Sequence, residues 1–595
     1  MGVPGFFGKW IAPKKFPGVI LRKSPYNKYD YIAIDLNSLI HQIAQVVFAY
    51  AENITPQQRK ESMKSNYELS KLRLFESLTI SLENLMKSFS PKVFILAVDG
   101  PAPMAKIWQQ RRRRIVSAMH NRSLQNDKKP LHGFDPNCIT PGTKFMIELN
   151  EYLERWIGNL GSGIVSEIVY YNHLTPGEGE HKIADYLRSL PRNIQENESC
   201  LIYGIDADLI LISMVSPMVN IVLFRDNINK FLSINDFRKA IMKEMGGSSG
   251  GFGTEIYDFS LIVEMIGDDF LPQIVDFSNI ALSIDFLTSN YKIYRKKNDA
   301  ICYKDEEIRV NIVNLRNFLV EIMNLEDGLL RDLTSQNYVE QLQAMEYAVR
   351  NSNSLQSIVD PKERRKIGFN FSDFRTAWYH RIFAPQSDQK EIIAANAILE
   401  KQGEKITDYV GVSLGRVEEM VSEYCFGLIW IFDYYVSGGS AVNWLWYYQY
   451  PRSPLITDIG RWMISDNRLD SLINKIGKSR KDKTKLKALH QLLSVIPQLS
   501  INCLPKEIGW FMTPESPIID IFPERVKVSK EGMVEKWDNV VYMAPIDPNR
   551  IIRVVDEWVQ YFEKEHPRLI NFSEVLTKKY EKETHTTDLP IDIQI

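Results

Sequence analysis

Five short apolar runs, separated by stretches with helical periodicity, constrain the fold of this chain more than any other feature. They are YDYIAIDLN at 29–37, KVFILAVDG at 92–100, GIVSEIVYY at 163–171, CLIYGIDADL at 200–209 and NIVLFRDN at 220–227. Continuous β-branched runs that alternate with helices are typical of a parallel sheet covered on both faces. The sequence therefore predicts an α/β fold with a mostly parallel sheet flanked by helices on both faces.

Acidic residues follow three of these runs, at the points where the strands should end. They are Asp35, Asp99, and the pair Asp206 and Asp208. In open α/β sheets, ligands bind outside the carboxyl ends of the strands. A single aspartate in this position is about as often a turn former or a helix N-cap. Three repeats of the same arrangement favour a shared binding site at this edge of the sheet.

Three further acids extend this pattern. Glu178 and Glu180 lie in HLTPGEGEHKIADYL, where a helix should begin, and Asp269 lies in MIGDDFLP. The glycines beside the glutamates allow a tight turn that presents both carboxylates. Carboxylates a few ångströms apart raise one another's pKa, and a cation between them removes the repulsion. The predicted catalytic and metal-binding set is Asp35, Asp99, Glu178, Glu180, Asp206, Asp208 and Asp269.

The ligand chemistry of this set favours a hard divalent cation. Oxygen ligands without a matching set of His or Cys favour Mg²⁺, for which Mn²⁺ can substitute, over zinc. Two such ions about 4 Å apart would activate water and stabilise the leaving oxygen of a phosphodiester. The alternative is that the acids only cap helices, where the macrodipole favours anions. Capping alone does not explain why three of the strand ends carry an acid.

A basic helix is predicted directly after Asp99, in PAPMAKIWQQRRRRIVSAMHNR. The residues predicted to share one face of it are Lys106, Gln110, Arg113 and Arg114. Their ammonium, amide and guanidinium groups would suit a terminal phosphate. Arg111 and Arg112 point away from this face, toward a nucleic-acid backbone. A charge run is more often a solvated helix face, and only the neighbouring acidic site favours the phosphate interpretation.

Three ring-bearing residues are candidates for stacking on bases. His41 follows Asp35 in DLNSLIH, and Trp444 and Trp446 lie in NWLWYYQY. All three can equally be core residues, which is the commoner fate of such side chains. The sequence does not choose between the two tryptophans.

Composition limits the remaining possibilities. The chain of 595 residues has a formal net charge of −2, so any nucleic-acid contact must come from a local basic patch. Its five cysteines form no CxxC pair, which favours an intracellular protein with reduced thiols. No apolar run approaches the length of a membrane span. We expect a protein without a membrane segment, with a weak preference for the cytoplasm over the nucleus.

With these motifs in place, the chain resembles the XRN-type 5′-to-3′ exoribonucleases. The stretches that carry the resemblance are MGVPGFF, IDLNSLIH, AVDGPAPMAKIWQQRRRR, FDPNCITPGTKFM, TPGEGEHKI, YGIDADLI, IGDDFLP, WLWYYQYPRSP, FMTPESPIIDIFP and VYMAPIDPNRII, in family order. They cover most of the chain apart from a polar segment near 326–368. The resemblance implies a PIN/FEN-like nuclease core with an aromatic-rich second region packed against it.

The resemblance also implies a function. It predicts a processive, Mg²⁺-dependent enzyme that hydrolyses single-stranded RNA with a 5′ monophosphate to mononucleotides, in RNA or mRNA degradation. By this resemblance the seven acids bind metal, and Lys106, Gln110, Arg113 and Arg114 form the 5′-phosphate pocket. His41 would stack on a terminal base, with Trp444 or Trp446 as its partner. We expect a monomer, and the sequence identifies no protein partner.

The resemblance predicts three parts and shows two departures. The parts are an N-terminal nuclease region at 1–325, a variable connector at 326–368, and a second region at 369–595 that completes the substrate channel. Asp268 stands where the family usually has Asn, adding a possible charge beside the second metal site. QYPRSP lacks a histidine of the family's QYHYAP-like stretch. A minimal catalytic core without a long C-terminal extension is expected.

Two alternatives remain open at this stage. A flap-type structure-specific DNA nuclease shares the acidic α/β core, but it predicts a duplex-binding helix-hairpin-helix, and the sequence has no clear signature of one. A catalytically inactive RNA-binding scaffold would be marked by loss of an acid, and all seven acids are present.

Overall fold

The structure is a computed structural model of the chain. It describes residues 2–124, 128–161, 165–247, 253–274, 279–326, 371, 375, 378–379, 382–383, 414–523, 526–529, 540–562 and 576–579. The predicted connector at 326–368 lies outside the described residues except for Glu326. The division of the chain into 1–325, 326–368 and 369–595 therefore stays a prediction.

The strands are short, as the apolar runs predict. In the described residues they are β1 (Ile20–Leu21), β2 (Tyr31–Asp35), β3 (Val93–Ala97), β4 (Glu167–Tyr171), β5 (Ser199–Tyr203), β6 (Asn220–Arg225), β7 (Lys230–Ser233), β8 (Cys302–Lys304), β9 (Ile308–Val310), β10 (Lys527–Ser529), β11 (Val540–Tyr542) and β12 (Leu576–Lys579). Each of the five predicted runs corresponds to one strand, from β2 to β6, and β5 begins one residue before its run.

Eight of these strands form one sheet, in the order β1-β7-β6-β5-β2-β3-β4-β12. The inner five, β6, β5, β2, β3 and β4, run parallel. Strands β7 and β12 pair antiparallel with β6 and β4, and β1 pairs antiparallel with β7. The remaining strands in the described residues form two small hairpins, β8 with β9 and β10 with β11. The predicted α/β fold with a mostly parallel sheet is confirmed.

Helices cover both faces of the sheet. The described α-helices are α1 (Ala12–Lys14), α2 (Leu36–Val47), α3 (Pro56–Ser62), α4 (Tyr67–Phe89), α5 (Met104–Ser123), α6 (Lys144–Asn159), α7 (Gly179–Ser189), α8 (Arg192–Asn197), α9 (Asp208–Val215), α10 (Ile234–Glu244), α11 (Glu255–Glu264), α12 (Ile280–Arg295), α13 (Ile312–Met323), α14 (Leu414–Ser437), α15 (Ile456–Met463), α16 (Asp466–Lys481), α17 (Ala488–Val495) and α18 (Pro548–Phe562). A short π-helical segment, Phe6–Ile11, precedes α1.

The period of two along the strands divides the core into two layers. Ala33 and Ile95 contribute to the apolar cluster on one face, and Ile32 and Phe94 contribute to the cluster on the other. Strand β2 lies at the centre, because the chain adds β3 and β4 on one side of it and then crosses to add β5 and β6 on the other. That crossing point is where open α/β sheets bind ligands, and β2 ends there at Asp35.

The aromatic-rich second region packs directly on this core. Helix α14 is buried along most of its length and contacts α9 and α11. Its apolar side chains belong to the same cluster as Ala33 and Ile95. Glu326 accepts hydrogen bonds from the backbone N–H groups of Ile456 and Thr457, at 2.8 and 2.9 Å, where α15 begins. The second region therefore shares one continuous core with the sheet.

Candidate metal centre and phosphate pocket

Three of the predicted acids meet at the carboxyl edge of the sheet. Asp35 ends β2, Asp99 lies in the loop after β3, and Glu180 lies in the first turn of α7. One carboxylate oxygen from each lies within 4.8 Å of the others. In the part of the chain that the structure describes, no other trio of acidic, histidine or cysteine side chains comes this close. The strand-end pattern and the GEGE turn thus converge on one point.

One side-chain donor and one backbone donor hold the Asp99 carboxylate in this arrangement. Asn37 donates from Nδ2 to Asp99 Oδ2 at 2.9 Å and accepts from the Asp99 N–H at 3.0 Å. The N–H of Gly179 donates to the other oxygen, Oδ1, at 2.8 Å. Both carboxylate oxygens are therefore fixed before any ligand binds.

The two glycines of GEGE have different tasks. Gly177 has a φ of +111°, a conformation that favours glycine, so it provides the tight turn. Gly179 is needed for close approach, because a Cβ built there would lie 2.7 Å from Asp35 Oδ1. The predicted tight turn is therefore formed at Gly177. Gly179 has another role, because its lack of a side chain lets α7 begin in close contact with Asp35.

The electrostatics of the trio fit a divalent cation. Burial, and then repulsion from Asp99, raises the pKa of Asp35 well above its ordinary value. Burial, followed by the charge of Glu178, does the same for Glu180. Buried carboxylates that repel one another bind a hard cation well, because its charge replaces the proton that each would otherwise take up. The donor set of the trio is all oxygen.

Lys106 joins two further acids beside this trio. Its Nζ lies 2.5 Å from Glu178 Oε2 and 2.9 Å from Asp269 Oδ2, and all three side chains are buried. Burial opposes its charge, but the carboxylates of Asp269 and Glu178 raise the pKa of Lys106 well above its ordinary value. Burial raises the pKa of Asp269, but Lys106 and other nearby positive charges together oppose this effect and lower the pKa to about 2. Lys106 thus lies among the acids, and its role in phosphate binding stays a prediction.

Glu178 does not behave as a helix cap. It immediately precedes α7, yet its carboxylate meets Lys106 and Tyr434 rather than the backbone of that helix. Burial raises the pKa of Glu178 to about 7, although Lys106 opposes the shift. The interpretation of these acids as simple caps therefore does not account for Glu178.

Two tyrosines that the sequence did not indicate complete the acidic site. The hydroxyl of Tyr434 donates to Glu178 Oε1 at 2.9 Å, and that of Tyr435 donates to Asp208 Oδ1 at 2.9 Å. Both come from α14, and the Tyr434 ring stacks on His181 with centroids 3.7 Å apart. In the sequence they are visible only as a pair of tyrosines in an apolar helix, and such a pair more often belongs to the hydrophobic core than to a site.

The N-terminal residues contact the same site. Gly2 has a φ of +47°, and a Cβ built there would lie 1.7 Å from Asp208 Oδ1. The backbone of Gly2 therefore packs against this carboxylate. Asp206 lies in the loop after β5, near enough to Asp35 to raise the pKa of that residue further. Asp206, Asp208 and Asp269 are not members of the trio whose carboxylate oxygens lie within 4.8 Å of one another.

Two more buried side chains support the loops of the site. Lys182 donates from Nζ to the carbonyl oxygens of Val98 and Asn172, at 2.5 and 3.1 Å, and burial lowers its pKa to about 7. Gln109 donates to Asp269 Oδ1 at 3.1 Å. Lys182 lies in GEGEHK and Gln109 lies in WQQ, each close in sequence to a predicted site residue. Neither motif alone predicts that these two side chains support the site.

Asp268, the departure from the family pattern, forms a turn. Its Oδ1 accepts hydrogen bonds from the N–H groups of Phe270 and Leu271, each at 2.7 Å. Burial raises the pKa of Asp268 well above its ordinary value. The Asp268 carboxylate is engaged in the turn that precedes Phe270 and Leu271.

His41, on α2, lies near Arg113 and Arg114 of the basic helix, α5. Burial lowers the pKa of His41 to about 4, with further contributions from the charges of Arg114 and Arg113. Arg113 is exposed, whereas Arg114 donates to the carbonyl oxygens of Asn137 and Ile139, at 3.2 and 3.5 Å. Positive charge and an imidazole ring therefore share one region beside the acids.

Gln110 and Arg111 are both in contact with α17. Gln110 accepts from Gln491 Nε2 at 3.4 Å. The prediction that Arg111 points toward a nucleic-acid backbone is wrong. Its guanidinium is buried and donates to the carbonyl oxygens of Ser494, at 2.8 Å, and Ile521. Arg111 fixes α5 to the second region.

The two candidate tryptophans lie in different surroundings. Trp444 donates to the carbonyl of Gly439 at 2.6 Å, and the exposed Lys485 places Nζ 5.4 Å from its ring centroid. Trp446 donates to Glu423 at 2.9 Å and packs against aromatic rings of α14. Both are largely covered, and their stacking role stays a prediction.

Two family models match the chain. The XRN 5′-3′ exonuclease N-terminus matches residues 1–227, and the Xrn1 helical domain matches residues 403–588. Together they match more than half of the chain. The first spans the sheet from β1 to β6 and six of the seven predicted acids, and the second includes α14.

Several curated relatives carry exoribonuclease names. The "5′-3′ exoribonuclease 1" of Homo sapiens is 27% identical, over 98% of this chain and 36% of that protein. The protein of that name in Schizosaccharomyces pombe is 24% identical, over 96% and 50%. The "5′-3′ exoribonuclease 2 homolog" of Drosophila melanogaster is 24% identical, over 95% and 71%. The chain thus spans about a third to a half of the length of the first two.

Among the described helices, none is long and apolar enough to cross a membrane.

Proposed function

Because the chain belongs to the XRN family of 5′-3′ exoribonucleases, we propose that it degrades single-stranded RNA from the 5′ end, releasing mononucleotides from a 5′ monophosphate. The observation that carries this proposal is the carboxylate trio at the carboxyl edge of the sheet, beside the end of the central strand. It lies beside a region of positive charge suited to a terminal phosphate. A 5′ phosphate and the first phosphodiester can therefore lie next to each other.

The acids would bind two Mg²⁺ ions, for which Mn²⁺ could substitute. Asp35, Asp99 and Glu180 would hold one ion, and Asp206, Asp208 and Asp269 the other. Such a pair activates water and stabilises the leaving oxygen of a phosphodiester. Lys106 and Tyr434 hold the Glu178 carboxylate, and Lys106 also contacts Asp269 of the second group. The hydrogen bonds from Asn37 and Gly179 orient Asp99, so the ligands are pre-organised.

The 5′ phosphate would be held by Gln110, Arg113, Arg114 and Lys106. A pocket with a limited number of donors accepts a monophosphate and disfavours a capped or triphosphorylated end. His41 is suited to stacking on the terminal base, because its lowered pKa leaves the ring neutral at physiological pH. Trp444 or Trp446 would support the next bases. After each cleavage the new 5′ phosphate can enter the same pocket, which makes the reaction processive.

The direct test measures the hydrolysis of labelled single strands that carry a 5′ monophosphate, hydroxyl or triphosphate, as RNA and as DNA, with Mg²⁺ and with EDTA. We expect Mg²⁺-dependent release of mononucleotides from 5′-monophosphorylated RNA only. Equal rates on 5′-hydroxyl RNA would refute the phosphate pocket. Preferred cleavage of DNA would indicate a flap-type nuclease, and RNA binding without hydrolysis would indicate an inactive scaffold.

A matched pair of variants tests the acids themselves. Asp206→Ala should abolish hydrolysis while leaving RNA binding largely intact. Asp470→Ala, which removes an exposed aspartate of α16, should behave as the wild type. Undiminished hydrolysis by Asp206→Ala would contradict the metal role.

We further propose that the protein acts as a monomer in cytoplasmic RNA turnover. Light scattering of the purified chain tests the oligomeric state, and cell fractionation tests the compartment.

A further inference from the structure

A fully buried glutamine on α17, Gln491, contacts two parts of the predicted site. Its Oε1 accepts a hydrogen bond from the backbone N–H of Ala102 at 2.7 Å. Its Nε2 donates to Oε1 of Gln110 at 3.4 Å. Ala102 lies in the loop that carries Asp99, and Gln110 is a predicted ligand of the 5′ phosphate. Gln491 therefore bridges the metal side and the phosphate side of the site.

The direction of these hydrogen bonds is fixed by the backbone. A peptide N–H can only donate, so the atom of Gln491 that faces Ala102 must be the amide oxygen. The amide nitrogen of Gln491 then faces Gln110. Because that nitrogen can only donate, the atom of Gln110 that it meets must be the oxygen. The orientation of both amides follows from one backbone donor.

This orientation leaves the amide nitrogen of Gln110, Nε2, available to a ligand. With its oxygen engaged, its Nε2 keeps two N–H donors, and among the described residues no partner accepts from them. The side chain of Gln110 is only partly buried. A donor on this helix, near Arg113 and Arg114, suits a phosphate oxygen, whereas a carbonyl oxygen there would repel it.

We propose that Gln491 is a positioning residue that orients the amide of Gln110 so that it donates to the 5′ phosphate. This inference rests on the proposed function, since it requires Gln110 to bind that phosphate. It also gives the second region a part in substrate selection, because α17 holds the amide and Arg111 holds α17 against α5. Selection for a 5′ phosphate thus depends on contacts between residues that are distant in sequence.

The hydrogen bonds from Ala102 through Gln491 to Gln110 form a relay that sets the orientation of the Gln110 amide. The variant Gln491→Glu tests this relay by reversing that orientation. A carboxylate can accept from Ala102 and also from Gln110 Nε2, so the Gln110 amide should rotate and present its oxygen to the phosphate. We expect the ratio of kcat/KM on 5′-monophosphate RNA to that on 5′-hydroxyl RNA to fall about tenfold or more, the loss of one hydrogen bond to a charged group. The loss should lie in KM, with kcat little changed.

Two further variants and one control separate the effect of amide orientation from the effects of charge and packing. Gln491→Met removes both hydrogen bonds without adding a charge and should lower the same ratio. In a Gln110→Ala background, Gln491→Glu should have no further effect on the ratio, because no amide remains to be turned. Ser494→Ala, one turn away on α17, loses a buried hydroxyl that does not contact Gln110, and it should keep the wild-type ratio.

The outcomes distinguish this inference from the proposed function. If Gln110→Ala leaves the ratio unchanged, Gln110 does not bind the phosphate, and that part of the proposed function fails. If Gln110→Ala lowers the ratio but neither Gln491→Glu nor Gln491→Met does, the relay is refuted and the pocket stands. If Gln491→Glu lowers the ratio equally in the Gln110→Ala background, its charge acts directly, and the relay is also refuted. Gln491→Met decides the question if Gln491→Glu does not fold.

Discussion

Single residues set the position of the predicted metal ligands, and Gly2 is the clearest example. Its φ of +47° and the 1.7 Å separation between a built Cβ and Asp208 Oδ1 leave no room for a side chain. Gly2 thus packs closely against one of the predicted metal ligands. The stretch MGVPGFF carries part of the family resemblance, but the contact with Asp208 is not visible in it, because it depends on folding the N-terminus over the sheet.

We therefore predict that Gly2→Ala displaces the Asp208 carboxylate. A shift of about 1 Å in a catalytic group can cost about a hundredfold in rate, so kcat should fall by about that factor. The melting temperature should change little. Gly8→Ala is the matched control, since a Cβ at Gly8 meets nothing within 4 Å. Wild-type kcat in Gly2→Ala would contradict the prediction.

A second residue-scale prediction concerns pH. His173, in the loop after β4, accepts a hydrogen bond on Nδ1 from the N–H of Gly142 at 3.2 Å. Burial, and then the charge of Lys182, lowers the pKa of His173 to about 3. In the unfolded chain His173 binds a proton near its ordinary pKa of about 6.5. Between about pH 3 and about pH 6.5 the unfolded state therefore binds one more proton than the folded state. The resulting loss of stability as pH falls is about 1.4 kcal/mol per pH unit.

His173→Gln should remove this contribution. The free energy of unfolding, from urea denaturation between about pH 6 and about pH 4, should fall less steeply than in the wild type by about 1.4 kcal/mol per pH unit. His120→Gln, near the exposed end of α5, should keep the wild-type slope. Identical slopes in His173→Gln and the wild type would show that this histidine does not drive the pH dependence.

At the scale of elements, the sequence predicts the buried strands well and the edges poorly. Strands β2 to β6 carry enough consecutive apolar residues to stand out. Edge strands such as β1, with two residues, and β12, which pairs with β4 from near the end of the chain, are short and depend on a partner. Helix α5 illustrates the same limit. Helical spacing predicts which residues share a face, but not that Lys106 meets acids while Arg114 meets a loop.

Arg111 provides the test at this scale. Its buried guanidinium joins α5 to Ser494 and Ile521 of the second region. Arg111→Ala should lower the free energy of unfolding by about 2 to 4 kcal/mol, since two carbonyl groups lose a charged donor. Arg122→Ala, exposed on the same helix, should change it by less than about 0.5 kcal/mol. Equal stability of both variants in urea denaturation would contradict a structural role for Arg111.

At the scale of the whole molecule, the site is completed by contacts that no local pattern can predict. Six of the seven acids come from the N-terminal family match and could be identified from strand ends and the GEGE turn. Their hydroxyl partners come from α14, with Tyr434 lying 256 positions from Glu178 and Tyr435 lying 227 from Asp208. The second region is therefore part of the acidic site, beyond its predicted place in the substrate channel.

These tyrosines lead to the last prediction. Tyr434→Phe and Tyr435→Phe keep the rings but remove the hydroxyls that orient Glu178 and Asp208. Residues that orient metal ligands typically contribute about 10- to 100-fold in metal affinity or activity. We expect the Mg²⁺ concentration for half-maximal hydrolysis, and the Mg²⁺ dissociation constant from calorimetry, to rise by at least about tenfold in each variant. Tyr424→Phe is the matched control, because this buried hydroxyl of α14 donates to the carbonyl of Pro272 at 3.1 Å. An equal change in Tyr424→Phe, or none in the other two, would show that α14 supports the site only by packing.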